Sequence, residues 1–187
     1  ELRYGIIGAG SMGREHIENI KVMGGATVSA ISDPHKASQE AALAMAPGAK
    51  VFSDHRALID SGLVDAIIVA TPNDTHAAVL KDCLASDSAV FVEKPLATTV
   101  EDLKSILAWD EKRTAMTWMG LEYRFMPPVA EAIARAKEGE AGKIHQVTIR
   151  EHREPFYPKV DDWNRFAERT GGTLVEKCCH YFNLMDL

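Results

Sequence analysis

Hydrophobic and polar positions follow two interleaved rhythms over the first two thirds of the chain. Short β-branched runs fall at Leu2–Gly8, Thr27–Ser32, Lys50–Phe52, Val64–Ala70, Ala89–Glu93 and Ala115–Met119. Between them, apolar residues recur at helical spacing over Met12–Met23, His35–Met45, His55–Ser61, Thr75–Ser86 and Thr99–Arg113. Short strands alternating with helices of this length predict repeated βαβ units and a parallel sheet covered on both faces. Ala66-Ile67-Ile68-Val69-Ala70 has no polar side and is expected at the centre of that sheet. The fold class read from the pattern is α/β, a doubly wound parallel sheet.

After Gly120 the rhythm changes. Met126–Glu138 predicts a helix closing at Gly139, and Lys143–Arg153 alternates in a way that predicts a strand with one wet face. Glu154–Thr170 is irregular, aromatic and charged, and long enough for a connector that a functional role is expected. Gly172–Leu187 reads as a single helix. One strand leaves both of its edges unpaired, so this part cannot close a layer by itself. The expected organisation is a domain over residues 1–121 and, over 122–187, the beginning of a second domain that is incomplete in this chain.

Composition narrows the function classes. The 187 residues are 46% hydrophobic and 26% charged, an ordinary globular profile. The net charge is -6 with no block of Lys or Arg, which argues against a nucleic-acid partner. No apolar run approaches the roughly 18 residues needed to span a bilayer. The chain enters a strand almost at Glu1, leaving no room for a signal peptide, and the missing initiator Met suggests a trimmed start. Cys83, Cys178 and Cys179 form no disulfide framework, so a reducing, cytoplasmic setting is expected, with Cys83 a small buried hydrophobe.

The chemistry begins at Gly8-Ala9-Gly10-Ser11-Met12-Gly13, which leaves a predicted strand and opens a predicted helix. In that context a GxGxxG match points to a dinucleotide. Gly8 allows the tight turn, Gly10 lets a diphosphate approach the backbone, Gly13 lets the helix pack close, and the helix start offers unpaired N–H groups. Asp33 ends the second strand about twenty residues later, where a carboxylate accepts hydrogen bonds from ribose hydroxyls and repels a 2′-phosphate. NAD is therefore expected over NADP, with Lys36 softening the preference; Asp33-Pro34 can also start a turn and cap the next helix. Thr71-Pro72-Asn73-Asp74-Thr75-His76 follows the fourth strand at the carboxyl edge of the sheet, as helix cap, cofactor contact or both.

Glu93-Lys94-Pro95 closes the fifth strand at the same edge, and the proline keeps Lys94 out of the helical region. A lysine held there is a candidate for function rather than a solvated charge. Near the end, Glu176 and His180 are spaced i, i+4, so a continuous helix would bring carboxylate and imidazole to one face. A metal site would need a further ligand at suitable spacing, and none is found, so no metal is expected.

Taken together these pieces resemble the glucose-fructose oxidoreductase / inositol dehydrogenase / MocA superfamily. The resemblance rests on the order of the Gly8–Gly13 loop, Asp33-Pro34, Thr71-Pro72-Asn73 with His76, Glu93-Lys94-Pro95, Tyr123-Arg124-Phe125 before Pro127, Gly142-Lys143-Ile144, and Gly171-Gly172 leading to His180. It implies a Rossmann domain followed by the start of an α/β domain with a mostly antiparallel open sheet, truncated here. It also implies an NAD-dependent dehydrogenase that transfers hydride between a secondary alcohol of a sugar, polyol or related small molecule and the nicotinamide, a homo-oligomer when full length. It places the family's lysine on Lys94 and its catalytic histidine on His180. The cofactor would lie against Gly8, Gly10, Ser11, Met12, Gly13, Asp33, Thr71, Pro72, Asn73, His76, Glu93 and Lys94. Tyr123, Arg124, His152 and Trp163 are the expected pocket residues. The family's usual Asp four residues before the histidine is Glu176 here, its Gly is Cys178, and a later Asp is Asn183. Two rival activities stay open: an NAD-dependent glycosidase of the same superfamily and a redox-inactive NAD-binding regulator.

Overall fold

The computed structural model describes every residue except Arg153 and Phe156. Six parallel strands, β1 (Leu2–Ile7), β2 (Ala26–Ser32), β3 (Lys50–Phe52), β4 (Ala66–Val69), β5 (Ala89–Glu93) and β6 (Thr117–Gly120), form one sheet in the order β3-β2-β1-β4-β5-β6. Chain order reverses between β1 and β4, so a crevice opens there at the carboxyl ends of the strands. The helices between them are α1 (Ser11–Met23), α2 (Lys36–Met45), α3 (His55–Ile59), α4 (His76–Cys83) and α5 (Val100–Asp110). Thr99 caps α5 by accepting from Asp102 N at 3.1 Å while its hydroxyl donates to the Asp102 carboxylate at 2.8 Å.

Period-2 alternation sends neighbouring strand residues to opposite faces. Ile6, Ile31 and Ile68 pack with Ile17, Ile20 and Ala42 of α1 and α2. Ile7, Ile67 and Val69 pack with Leu58, Leu80 and Ile106 of α3, α4 and α5. All four residues of β4 are buried, as a central strand without a polar side requires.

The remaining chain is built differently. It contains α6 (Pro127–Lys137), α7 (Ala167–Thr170), α8 (Thr173–Glu176) and α9 (Cys179–Asp186). Pro residues open α6, where their missing N–H costs nothing. Two expectations fail here. Residues 144–152 make no strand, and Arg153 lies outside the described residues; alternation prepares a strand, but a strand exists only where a neighbour completes its ladder. The single helix expected over Gly172–Leu187 is divided into α8 and α9, with Lys177 off the regular helical path at φ -106. Glu154–Thr170 also gains local structure, a 3-10 turn over Val160–Arg165 followed by α7, with Asp161 and Asp162 in the left-handed region.

Candidate active site and its family

The glycine loop is shaped by space rather than by sequence alone. Gly8 has φ +94, and a Cβ there would lie 2.6 Å from the Ala70 backbone. A Cβ on Gly13 would meet the Gly8 carbonyl oxygen at 2.0 Å, which is how closely α1 approaches the strand end. A Cβ on Gly10 would meet nothing within 4 Å. Protein packing therefore accounts for Gly8 and Gly13, while Gly10 borders open volume at the head of α1, where a diphosphate fits.

Asp33 starts the turn into α2, whose N-cap is His35. Its carboxylate accepts from Ala9 N at 2.7 Å and from His35 N at 2.7 Å, tying the glycine loop to the start of α2. A carboxylate has further lone pairs for ribose hydroxyls, so this ordering role leaves the ligand role intact. His76 is placed otherwise than expected. It is fully buried, with Nδ1 2.8 Å from the Pro95 carbonyl and Nε2 3.1 Å from the Thr71 carbonyl, and burial lowers its pKa. The enclosed ring holds together the loops that carry Thr71 and Lys94. Asn73 is buried too, and its amide donates to the Thr170 carbonyl at 3.4 Å. The Thr71 hydroxyl accepts from that of Thr75 at 2.9 Å.

At the end of β5 the Lys94 ammonium donates to the Glu176 backbone carbonyl at 3.1 Å. That carbonyl ends α8, and the break before α9 frees it from the helical ladder. Glu176 thus meets Lys94 through its main chain. The break also separates Glu176 from the helix of His180, so the shared face inferred from i, i+4 spacing is not formed. The acid group beside the imidazole is Glu122, with Oε1 3.6 Å from His180 Nε2.

His180 is 2% exposed, and its Nδ1 has no hydrogen-bond partner among the described residues. The Tyr123 ring stacks on it at 4.0 Å and 11°. The Lys177 ammonium donates to the Tyr123 hydroxyl, pairs with Glu151 at 2.9 Å and lies 4.6 Å from the Tyr123 ring centre. Burial, reinforced by Lys94 and Lys177, pushes the His180 pKa down to about 4. Held so far below the ordinary 6.5, the imidazole is neutral at pH 7. Arg124 is a scaffold residue, donating to Asn183 Oδ1 at 2.9 Å. Trp163 sits half-buried inside the 3-10 turn, and His152 is exposed on the extended segment.

Four participants escaped sequence reasoning. His16 of α1 bonds Glu93 at 2.7 Å and so fixes the residue before Lys94. Glu122, Lys177 and Lys159 complete the charged surround. Lys177 lay in view within Glu-Lys-Cys-Cys-His, and Lys159 lay in the long irregular stretch, but no spacing rule connects either with its partner.

An open glycine loop, a strand-end aspartate and the reversal of strand order between β1 and β4 define a dinucleotide-binding protein of the Rossmann class. Residues 2–121 match the NAD-binding Rossmann fold of the Gfo/Idh/MocA oxidoreductase family, and residues 130–187 match that family's C-terminal alpha/beta domain. The chain belongs to this family. It is 35% identical over 156 residues to inositol 2-dehydrogenase 2 of Paenarthrobacter aurescens, covering 79% of this chain and 46% of that protein. Myo-inositol dehydrogenase from Lactobacillus casei, solved with NAD(H) and myo-inositol, superposes with a TM-score of 0.71 at 31% identity, over 74% of this chain and 42% of its own. The WlbA dehydrogenase from Bordetella pertussis, solved with NADH and UDP-GlcNAcA, superposes with a TM-score of 0.83 at 25% identity, over 100% of this chain and 54% of its own. The chain spans about half the length of the relatives it matches.

Proposed function

We propose that the protein is an NAD-dependent dehydrogenase acting on a secondary alcohol of a sugar, polyol or related small molecule, with residues 122–187 opening its substrate domain. The observation that carries this reading is the bond from Lys94, at the carboxyl edge of an NAD-binding sheet, to the Glu176 carbonyl at 3.1 Å, which brings the segment of His180 to that edge from the far end of the chain. Bound NAD supplies the acceptor for the hydride that leaves the alcohol carbon. Lys94, already an ammonium donor to a carbonyl oxygen, donates instead to the reacting oxygen and stabilises the negative charge that develops there. His180 takes the hydroxyl proton on Nε2, the nitrogen that faces Glu122, and the substrate C–O bond becomes a carbonyl. A histidine held at about 4 is a weak base, so Glu122 is needed to steady the imidazolium against Lys94 and Lys177. Tyr123 fixes the ring plane, and Glu176 places Lys94 through its carbonyl. The three free cysteines suit a reducing, cytoplasmic setting.

The inositol dehydrogenase relatives make inositols and related sugars the first panel to test. Growth of NADH absorbance with one member of the panel, together with a ketone product, is the expected result. Release of free sugar from a glycoside without net NADH would replace this reading by transient oxidation and elimination. NAD binding without any turnover would replace it by a regulator.

A further inference from the structure

The irregular segment that follows residue 150 returns across the Rossmann domain and sets Lys159 at the head of α1, where its ammonium donates to the Ser11 hydroxyl. This placement is unfavourable taken alone. The first turn of a helix has amides without intrahelical acceptors and a partial positive charge, so a cation gains nothing there. Burial lowers the pKa of Lys159 and the nearby Lys94 lowers it further, against the pull of Glu176, Glu93 and Glu15. Among the described residues, the hydrogen-bond partner of the ammonium is a neutral hydroxyl, and no carboxylate lies within ion-pair distance of it. Beside it is the open volume over Gly10, where a Cβ would meet no atom within 4 Å. A half-buried cation, a positive helix end and an unfilled space lined by glycine are complementary to an anion, and the family's cofactor brings one.

We infer that Lys159 is a ligand of the cofactor diphosphate contributed from outside the Rossmann domain, and that binding the cofactor fastens the 157–166 segment over the glycine loop. The ammonium and the α1 amides would approach the same diphosphate from different sides, the ammonium through charge-assisted hydrogen bonds. The segment leads directly into Thr170, Gly171 and Gly172 and then to Glu176 and His180. Cofactor binding therefore stiffens the approach to the catalytic histidine as well as supplying the redox partner. The inference rests on the NAD-binding character of the fold and not on the identity of the alcohol.

Calorimetric titration of NAD, ADP-ribose and adenosine into wild type, Lys159→Met and Lys159→Arg separates the alternatives. Lys159→Met is expected to weaken NAD and ADP-ribose by about tenfold and to leave adenosine within about twofold, since only the first two carry the diphosphate. The loss should shrink as salt is raised, and Lys159→Arg should recover most of it. Unchanged NAD affinity in Lys159→Met, alongside a wild type that binds NAD, would overturn this assignment alone. Equal losses for adenosine and ADP-ribose would show a structural strut, and a loss confined to the KM of the alcohol would move Lys159 to the substrate; either result overturns it. A wild type that binds no NAD would overturn the cofactor reading itself.

Discussion

The two regions of the molecule are held by different forces. Every buried hydrophobic side chain among the described residues lies between Ile6 and Ile106, in two clusters on the two faces of the sheet. In residues 122–187 the buried side chains are Thr170 and His180, both polar, while Phe125, Phe166, Leu174, Phe182 and Met185 are exposed. What orients this second region is a set of polar contacts to the first: Asn73 to Thr170, Asp74 to Arg169 at 3.0 Å, Lys94 to Glu176 and Lys159 to Ser11. Apolar burial stabilises in proportion to area, about 25 cal/mol per Å², whereas an exposed ion pair contributes about 0 to 1 kcal/mol. The sheet is thus a self-supporting platform. The second region is aimed by polar contacts that converge on the carboxyl edge of that platform.

The sharpest way to break this comparison is by truncation in each region. Ile67→Ala, at the centre of the sheet, should lower unfolding free energy by about 2–5 kcal/mol, and Phe182→Ala by about 0.5 kcal/mol or less. Urea denaturation showing equal losses would mean that the second region has a core after all. Chemistry should depend on both regions. Lys94→Ala and His180→Ala should each lower kcat by about a hundredfold or more, and His180→Ala should leave NAD affinity close to wild type. A His180→Ala enzyme with near-normal kcat on its substrate would remove His180 from the mechanism.

Asp33 joins the loop to the ligand, so Asp33→Ala should weaken NAD by about tenfold and narrow its advantage over NADP. Equal affinities of the wild type for both cofactors would refute the role. The smallest effect concerns pH. The folded protein holds His180 at about 4 against an ordinary 6.5. Between those values the unfolded chain binds a proton that the folded chain refuses, so this contribution is complete above about pH 6.5 and is lost as pH falls toward 4. The Tm of His180→Gln should therefore fall less than that of wild type between about pH 7 and 4.5. Parallel curves would show that the imidazole is not desolvated.

Much of the first region was legible because its signals are local. Lys50–Phe52 and Ala89–Glu93 match expectation to the residue, and the other strands differ from it only at their ends. A five-residue apolar run between helical patterns has few alternatives, and the Gly8–Gly13 spacing encodes its own turn. The second region misled for the opposite reason. Residues 144–152 alternate as a strand would, yet pairing depends on a neighbour that no local pattern contains. The helix over Gly172–Leu187 was expected whole because helical periodicity runs through Lys177, whereas Lys177 is drawn toward Glu151 and Tyr123, residues distant in sequence.

The sequence by itself determined the parallel α/β platform, the dinucleotide loop, the strand-end Asp33, and Lys94 at the close of a strand. These follow from side-chain periodicity and from backbone constraints that act over a few residues. Only the tertiary structure decided that His76 is a buried strut, that Glu176 serves through its carbonyl, that Glu122 is the carboxylate beside His180, and that Lys159 returns to Ser11. Each of these depends on the desolvation of a group and the charge of its partners, and such quantities exist only once segments far apart in the chain share the same few ångströms of space.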